Sequence, residues 1–131
     1  MRAETQPWWR QAEADLETAW VNWQHGRFYA ASWFVQQAVE KGLKALYMER
    51  TGALAARTHD LTYLAAEVST PPLLDADLTL INPTFDLVRY PGPGGGIAPV
   101  DLITEQRAAE HVEAARRVFS WLSQELSRTL S

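Results

Sequence analysis

The chain has no cysteine among its 131 residues, which excludes disulfides, thiolate metal sites and a cysteine nucleophile. It also lacks any run of about 18 apolar residues, so no segment reads as a membrane span. Its start, MRAETQPWWRQAEADLETAW, is acidic and amphipathic and does not carry the apolar core of a signal peptide. A cytoplasmic location is the expectation. Positive charge is scarce as well: 12 Lys and Arg stand against 16 Asp and Glu, a formal net charge of −4. Such a balance does not suit broad neutralisation of a nucleic-acid backbone. The deficit is uneven. Asp75, Asp77, Asp86 and Asp101 surround a single cation, Arg89, whereas Arg107, Arg116, Arg117 and Arg128 decorate the last segment.

What is abundant is apolar surface at helical spacing. Hydrophobic residues make up 47% of the chain and charged ones 21%, the balance of a folded protein. The length suits one domain over residues 1–131. A first helix is predicted from Pro7 to Gln24, with Trp8, Ala12, Leu16, Ala19, Trp20 and Trp23 on one stripe and Gly26 as its stop. The second, Phe28 to about Arg50, ends at Gly52. Its face of Ala31, Phe34, Val35, Ala38, Gly42, Ala45 and Leu46 is broad enough to touch two neighbours, and its small residues allow close approach. Glu40 and Lys44 read as a surface pair at i and i+4.

A shorter helix is predicted from about His59 to Val68, with Thr58 as its N-cap. Asp75 is expected to cap a fourth segment that breaks at Asn82, because proline pushes the preceding residue out of the helical region. Pro91 to Pro99 reads as an irregular glycine- and proline-rich loop. No strand precedes it and no Gly-Lys-Ser/Thr follows, so it is not a phosphate loop. The last helix runs from a Thr104 N-cap to about Leu126, with Ala108, His111, Val112, Ala115, Val118, Phe119, Leu122 and Leu126 in its stripe. The fold class is therefore all-α: an up-and-down antiparallel bundle of four main helices plus one short helix.

Three segments in order, Gln36 to Leu46, Thr58-His59-Asp60-Leu61 and Arg89-Tyr90-Pro91, resemble the signature of HEPN domain proteins. The resemblance spans roughly Trp8 to Leu126. It implies a helical bundle that forms a homodimer, often encoded beside a small nucleotidyltransferase in a toxin–antitoxin pair. Other members of that family are metal-independent ribonucleases that use an arginine followed, after four to six residues, by a histidine in the final helix. Here the nearest match is Arg107 and His111, which are spaced i and i+4. The reading is thus a homodimeric interaction or nucleotide-binding module with a nucleotidyltransferase partner. The alternatives are a ribonuclease acting on RNA through Arg107 and His111, or a structural domain without catalysis. No cofactor or metal is expected.

Around Arg89 the residues leave two options. The guanidinium could grip a phosphate or a partner's carboxylate, or pair with Asp60 or Asp86 while Tyr90 fills a gap in the core. His59, placed in the first turn of a helix, prefers to be neutral there, and could bond a neighbouring helix or line a cleft with Gln37, Lys41 and Arg89. Six tryptophans exceed one stripe of a small bundle, and the adjacent Trp8 and Trp9 cannot both point inward. Part of the surplus is expected in a dimer interface.

Overall fold

The computed structural model describes residues 1–92 and 96–128, and every regular element among them is helical. In chain order these are α1 (Gln6–Gln24), α2 (Phe28–Thr51), α3 (Leu61–Glu67), a 3-10 turn (Pro72–Leu74) running into α4 (Asp75–Ile81), α5 (Thr84–Leu87), α6 (Pro99–Leu102) and α7 (Glu105–Arg128). The central element is α2, which packs against α1, α7 and α3 and touches α4, α5 and α6. A tight turn at residues 25–27 reverses α1 into α2, and α4 packs on α7 to complete the bundle. The all-helical bundle read from periodicity is therefore the fold. The three long helices have 19, 24 and 24 residues, while α4 fills the fourth position with only 7.

The core follows from α2. Val35, Ala38, Val39, Leu43 and Leu46 are fully enclosed, in one continuous cluster with Val118 and Leu122 of α7 and Leu61 of α3. Each such Val or Leu gains about 1.5–3 kcal/mol on leaving water. Close approach depends on Gly42: a Cβ there would lie 2.8 Å from Leu122 Cδ1 and 3.5 Å from the Trp9 ring. At the end of α2, Gly52 takes the left-handed conformation (φ 70°) of a helix C-cap.

Several local expectations are corrected. Trp9, not Trp8, joins the core, stacked 5.2 Å from Phe119; Trp8 sits over the Lys44 ammonium with 37% of its surface exposed. The Glu40–Lys44 pair is buried rather than on the surface, because α2 is enclosed along most of its girth. The third helix starts at Leu61, so its cap is Asp60, which accepts hydrogen bonds from the Thr62 and Tyr63 amides; Thr58 instead accepts from the Asp60 amide. Asp75 is already helical, since the 3-10 turn before it supplies the start of α4.

Asn82 does end α4, yet its backbone stays helical (φ −51°, ψ −45°). Tertiary contacts offset the proline's preference there. Asn82 Oδ1 accepts from the Leu61 amide at 2.8 Å and Nδ2 donates to Asp60 Oδ1 at 3.0 Å, tying α4 to the start of α3. The glycine- and proline-rich segment is shorter than expected, because Pro99 opens the helical turn α6; residues 93–95 lie outside the described residues. Thr104 caps α7 as predicted, its Oγ1 accepting from the Arg107 amide at 3.1 Å.

Most of the cations that decorate the last helix are spent within the fold. Arg117 grips Asp77 of α4 through two nitrogens, at 2.9 and 3.0 Å, and Arg116 bonds Glu113 while lying 4.7 Å from the Trp20 ring. No helix among the described residues is long and apolar enough to cross a membrane.

Candidate functional site

The N-terminal half of α2 carries Trp33, Gln36 and Glu40 on successive turns, so that Gln36 and Glu40 meet His59 of the segment between α2 and α3 and Trp33 meets Phe85 of α5. Glu40 is the anchor. Its carboxylate is buried, and Oε1 accepts from His59 Nδ1 at 2.8 Å and from Gln36 Nε2 at 3.2 Å; Oε2 accepts from Lys44 Nζ at 3.0 Å. Burial alone would raise its pKa. The hydrogen bonds from His59, Lys44 and Gln36 outweigh that penalty and hold the carboxyl below its ordinary 4.5, so it is ionised at neutral pH. Gln36 Nε2 also reaches the His59 carbonyl at 3.3 Å, and Gln37 donates to Gln36 Oε1 at 2.7 Å.

His59 precedes the cap of α3 and so lies outside the helix; the dipole argument for a neutral ring does not apply to it. Its side chain is 55% exposed. The imidazole stacks on Phe85 of α5 with centroids 4.0 Å apart, and Phe85 in turn stacks beside Trp33 at 6.1 Å. Arg89 closes the group. Its guanidinium carbon lies 4.5 Å from the Phe85 ring centre, 5.6 Å from Trp33 and 5.7 Å from Tyr90, within cation–π range of all three.

Neither Asp60 nor Asp86 forms an ion pair with Arg89 among the described residues, contrary to one expectation: Asp60 is occupied at the α3 cap and by Asn82. Tyr90 does not fill a core gap but is 62% exposed. With Tyr29, Ala30, Trp33, Val88 and Arg89 it lines a cavity of about 390 Å³.

Of the residues singled out from the sequence, His59, Arg89, Tyr90 and Gln37 thus come to one region. Lys41 does not. It points across α2 to α1 and bonds Asp15 at 2.5 Å, beside a separate pocket with Pro7, Trp8 and Gln11. Sequence reasoning missed Glu40, Gln36 and Phe85. The signal available was three polar residues at i, i+4 and i+8 (Gln36, Glu40, Lys44) within an otherwise apolar face, a pattern that needs a partner on another element.

Arg107 and His111 are elsewhere. His111 is only 1% exposed, packed between α7 and α2, where Nδ1 shares a 2.7 Å hydrogen bond with the buried Ser32 hydroxyl. Burial, and then the positive charge of Arg107, push its pKa from 6.5 down to about 4, so the ring is neutral. A neutral, enclosed imidazole is a packing group. Among the described residues no cluster of three or more His, Asp or Glu could hold a metal ion.

The model of the HEPN domain family matches residues 5–126. The chain belongs to that family. Two crystal structures share the HEPN fold seen here. One is a Thermus thermophilus protein, 24% identical, with a TM-score of 0.84 over 95% of this chain and 99% of that one. The other, an archaeal HEPN homologue, is 28% identical, with a TM-score of 0.79 over 96% of this chain and 99% of its own. No curated protein matches the chain. Within this HEPN bundle the Thr58–Leu61 and Arg89–Pro91 segments, 28 residues apart or more in sequence, meet at the end of α2 through Phe85.

Proposed function

We propose that this HEPN protein is a nucleotide-binding module, homodimeric and cytoplasmic, that works with a nucleotidyltransferase partner in a toxin–antitoxin-like pair. The observation that carries the nucleotide reading is Arg89, an exposed guanidinium laid over Phe85, Trp33 and Tyr90 without a carboxylate partner among the described residues. A phosphate can take the charged fork while a base stacks on the open aromatic faces. The cavity beside Trp33 and Tyr90 suits a ligand of nucleotide size. Trp8 and Tyr29, 37% and 36% exposed, support the dimer reading, since aromatic residues favour interfaces.

Against the ribonuclease reading stands the buried, neutral His111, which an RNA strand would not reach. The test is calorimetric titration with purine and pyrimidine mononucleotides. Binding is expected, with Arg89→Ala weakening it about tenfold or more, the worth of one charge-assisted contact. If no mononucleotide binds, the reading fails. Light scattering should give twice the 14.8 kDa chain mass; a monomer at micromolar concentration would remove the dimer. Co-purification with a neighbouring nucleotidyltransferase tests the partner.

A further inference from the structure

Resting on that nucleotide-binding reading, we infer that His59 is a positioning residue: it holds the Arg89 guanidinium in place through the Phe85 ring and does not itself meet the nucleotide. The wall of the cavity beside Arg89 is formed by Tyr29, Ala30, Trp33, Val88, Arg89 and Tyr90. Neither His59 nor Phe85 is part of it. Both are nevertheless joined to Arg89 by contact, since the imidazole stacks on Phe85 with centres 4.0 Å and planes 16° apart, and the guanidinium carbon lies 4.5 Å from the same ring centre.

The Arg89 side chain makes no hydrogen bond and no ion pair among the described residues, so rings set where the guanidinium sits. Phe85 is the nearest of the three, ahead of Trp33 at 5.6 Å and the exposed Tyr90 at 5.7 Å. Phe85 in turn depends on its neighbours, because α5 has only four residues and is too short to hold its shape alone. The ends of α5 are anchored, by the Thr84 hydroxyl donating to the Ile81 carbonyl at 2.7 Å and by Val88 in the smaller apolar cluster. Between them the Phe85 ring meets His59 and, more distantly at 6.1 Å, Trp33.

His59 is tied to α2 at two points: its Nδ1 bonds the buried Glu40 carboxylate at 2.8 Å, and its carbonyl accepts from Gln36 Nε2 at 3.3 Å. A long helix, a tethered imidazole, a phenyl ring and a guanidinium thus form one connected series. Loss of the imidazole should let Phe85 and Arg89 move. Another ring at position 59 should hold them.

Two readouts test this, one with ligand and one without. Calorimetry with AMP is expected to give a roughly three- to tenfold weaker affinity for His59→Ala, the value of one aromatic pair, and an affinity within about twofold of wild type for His59→Phe, which keeps a ring against Phe85. In an Arg89→Ala background, His59→Ala should weaken binding by less than about a further twofold, because its effect passes through the guanidinium. NMR of the free protein should show the Arg89 side-chain protons displaced by the ring currents of Phe85 and Trp33. That displacement is expected to shrink in His59→Ala and to persist in His59→Phe. Glu40 keeps Lys44 and Gln36 as partners in both variants, so each should fold.

Equal AMP affinity in wild type and His59→Ala, losses that add to those of Arg89→Ala, or a His59→Phe variant as weak as His59→Ala would overturn the inference, the last because it would place the imidazole on the ligand. If the wild type binds no mononucleotide, the nucleotide reading falls and the Arg89 resonances alone decide the positioning: unchanged in His59→Ala, they overturn it as well.

Discussion

Lowering the pH should destabilise this protein through His111 before its carboxylates matter. In the folded state the imidazole is enclosed between α2 and α7 against Ser32, and its pKa lies at about 4 instead of 6.5. Above pH 6.5 the ring is neutral in both folded and unfolded chains and has no effect on the balance. Between 6.5 and about 4 the unfolded chain takes up a proton that the folded one refuses, so stability falls as the pH falls. Each unit is worth 1.36 kcal/mol, so the loss reaches about 3 kcal/mol by pH 4 and then stops growing. That is a large part of the 5–15 kcal/mol typical of a domain.

Glu40 behaves in the same direction in a lower window. Its carboxyl is held below 4.5, so its contribution is present above that value and is lost only as the pH falls further. The two are separable. Urea unfolding followed by circular dichroism, at several pH values between about 7 and 5, should show wild-type stability dropping by somewhat over 1 kcal/mol per unit below pH 6.5 relative to His111→Gln. The glutamine keeps a polar partner for Ser32 but does not titrate. Parallel pH profiles for the two proteins, or an NMR titration of the His111 ring centred near 6.5, would refute the burial argument.

Two further outcomes test the packing that holds the site. Gly42→Ala gains about 1 kcal/mol of helix propensity but pushes a methyl within 2.8 Å of Leu122, an overpacking cost of about 1–3 kcal/mol. Thermal unfolding is expected to show a net loss, and a stabilised variant would mean that α2 and α7 are not in tight contact there. Asn82→Ala removes the acceptor for the Leu61 amide and the donor to Asp60, at a cost of about 1–2 kcal/mol. Amide exchange should then accelerate at Leu61 more than in α7, whereas unchanged exchange at Leu61 would show that Asn82 does not fasten α3.

Much of the fold was legible in the chain because helix periodicity and capping are local. Apolar residues three and four apart defined α1, α2 and α7; Gly52 ended α2 and Thr104 opened α7, each acting on neighbours within a turn or so. Where an end depended on a distant group, the local reading slipped. Thr58 looked like the cap of α3 because nothing nearby revealed that Asn82 would fasten Leu61 and Asp60 from 20 or so residues away. The site was legible only in part. Its motif residues His59 and Arg89 stood out, but their shared ring, Phe85, did not.

By itself, then, the sequence determined the helices and their amphipathic faces, since each depends on side chains spaced along one short stretch, and it carried the HEPN pattern in three such stretches. Tertiary structure decided which polar residues were enclosed and what they met. It turned Trp9 inward, sank Glu40 beneath His59 across 19 residues, and set His111 against Ser32 across 79. It also left Arg89 on aromatic rings rather than on a carboxylate. A side chain's charge state and its freedom to meet a ligand depend on burial and on partners from other helices, and those are fixed only when the bundle closes.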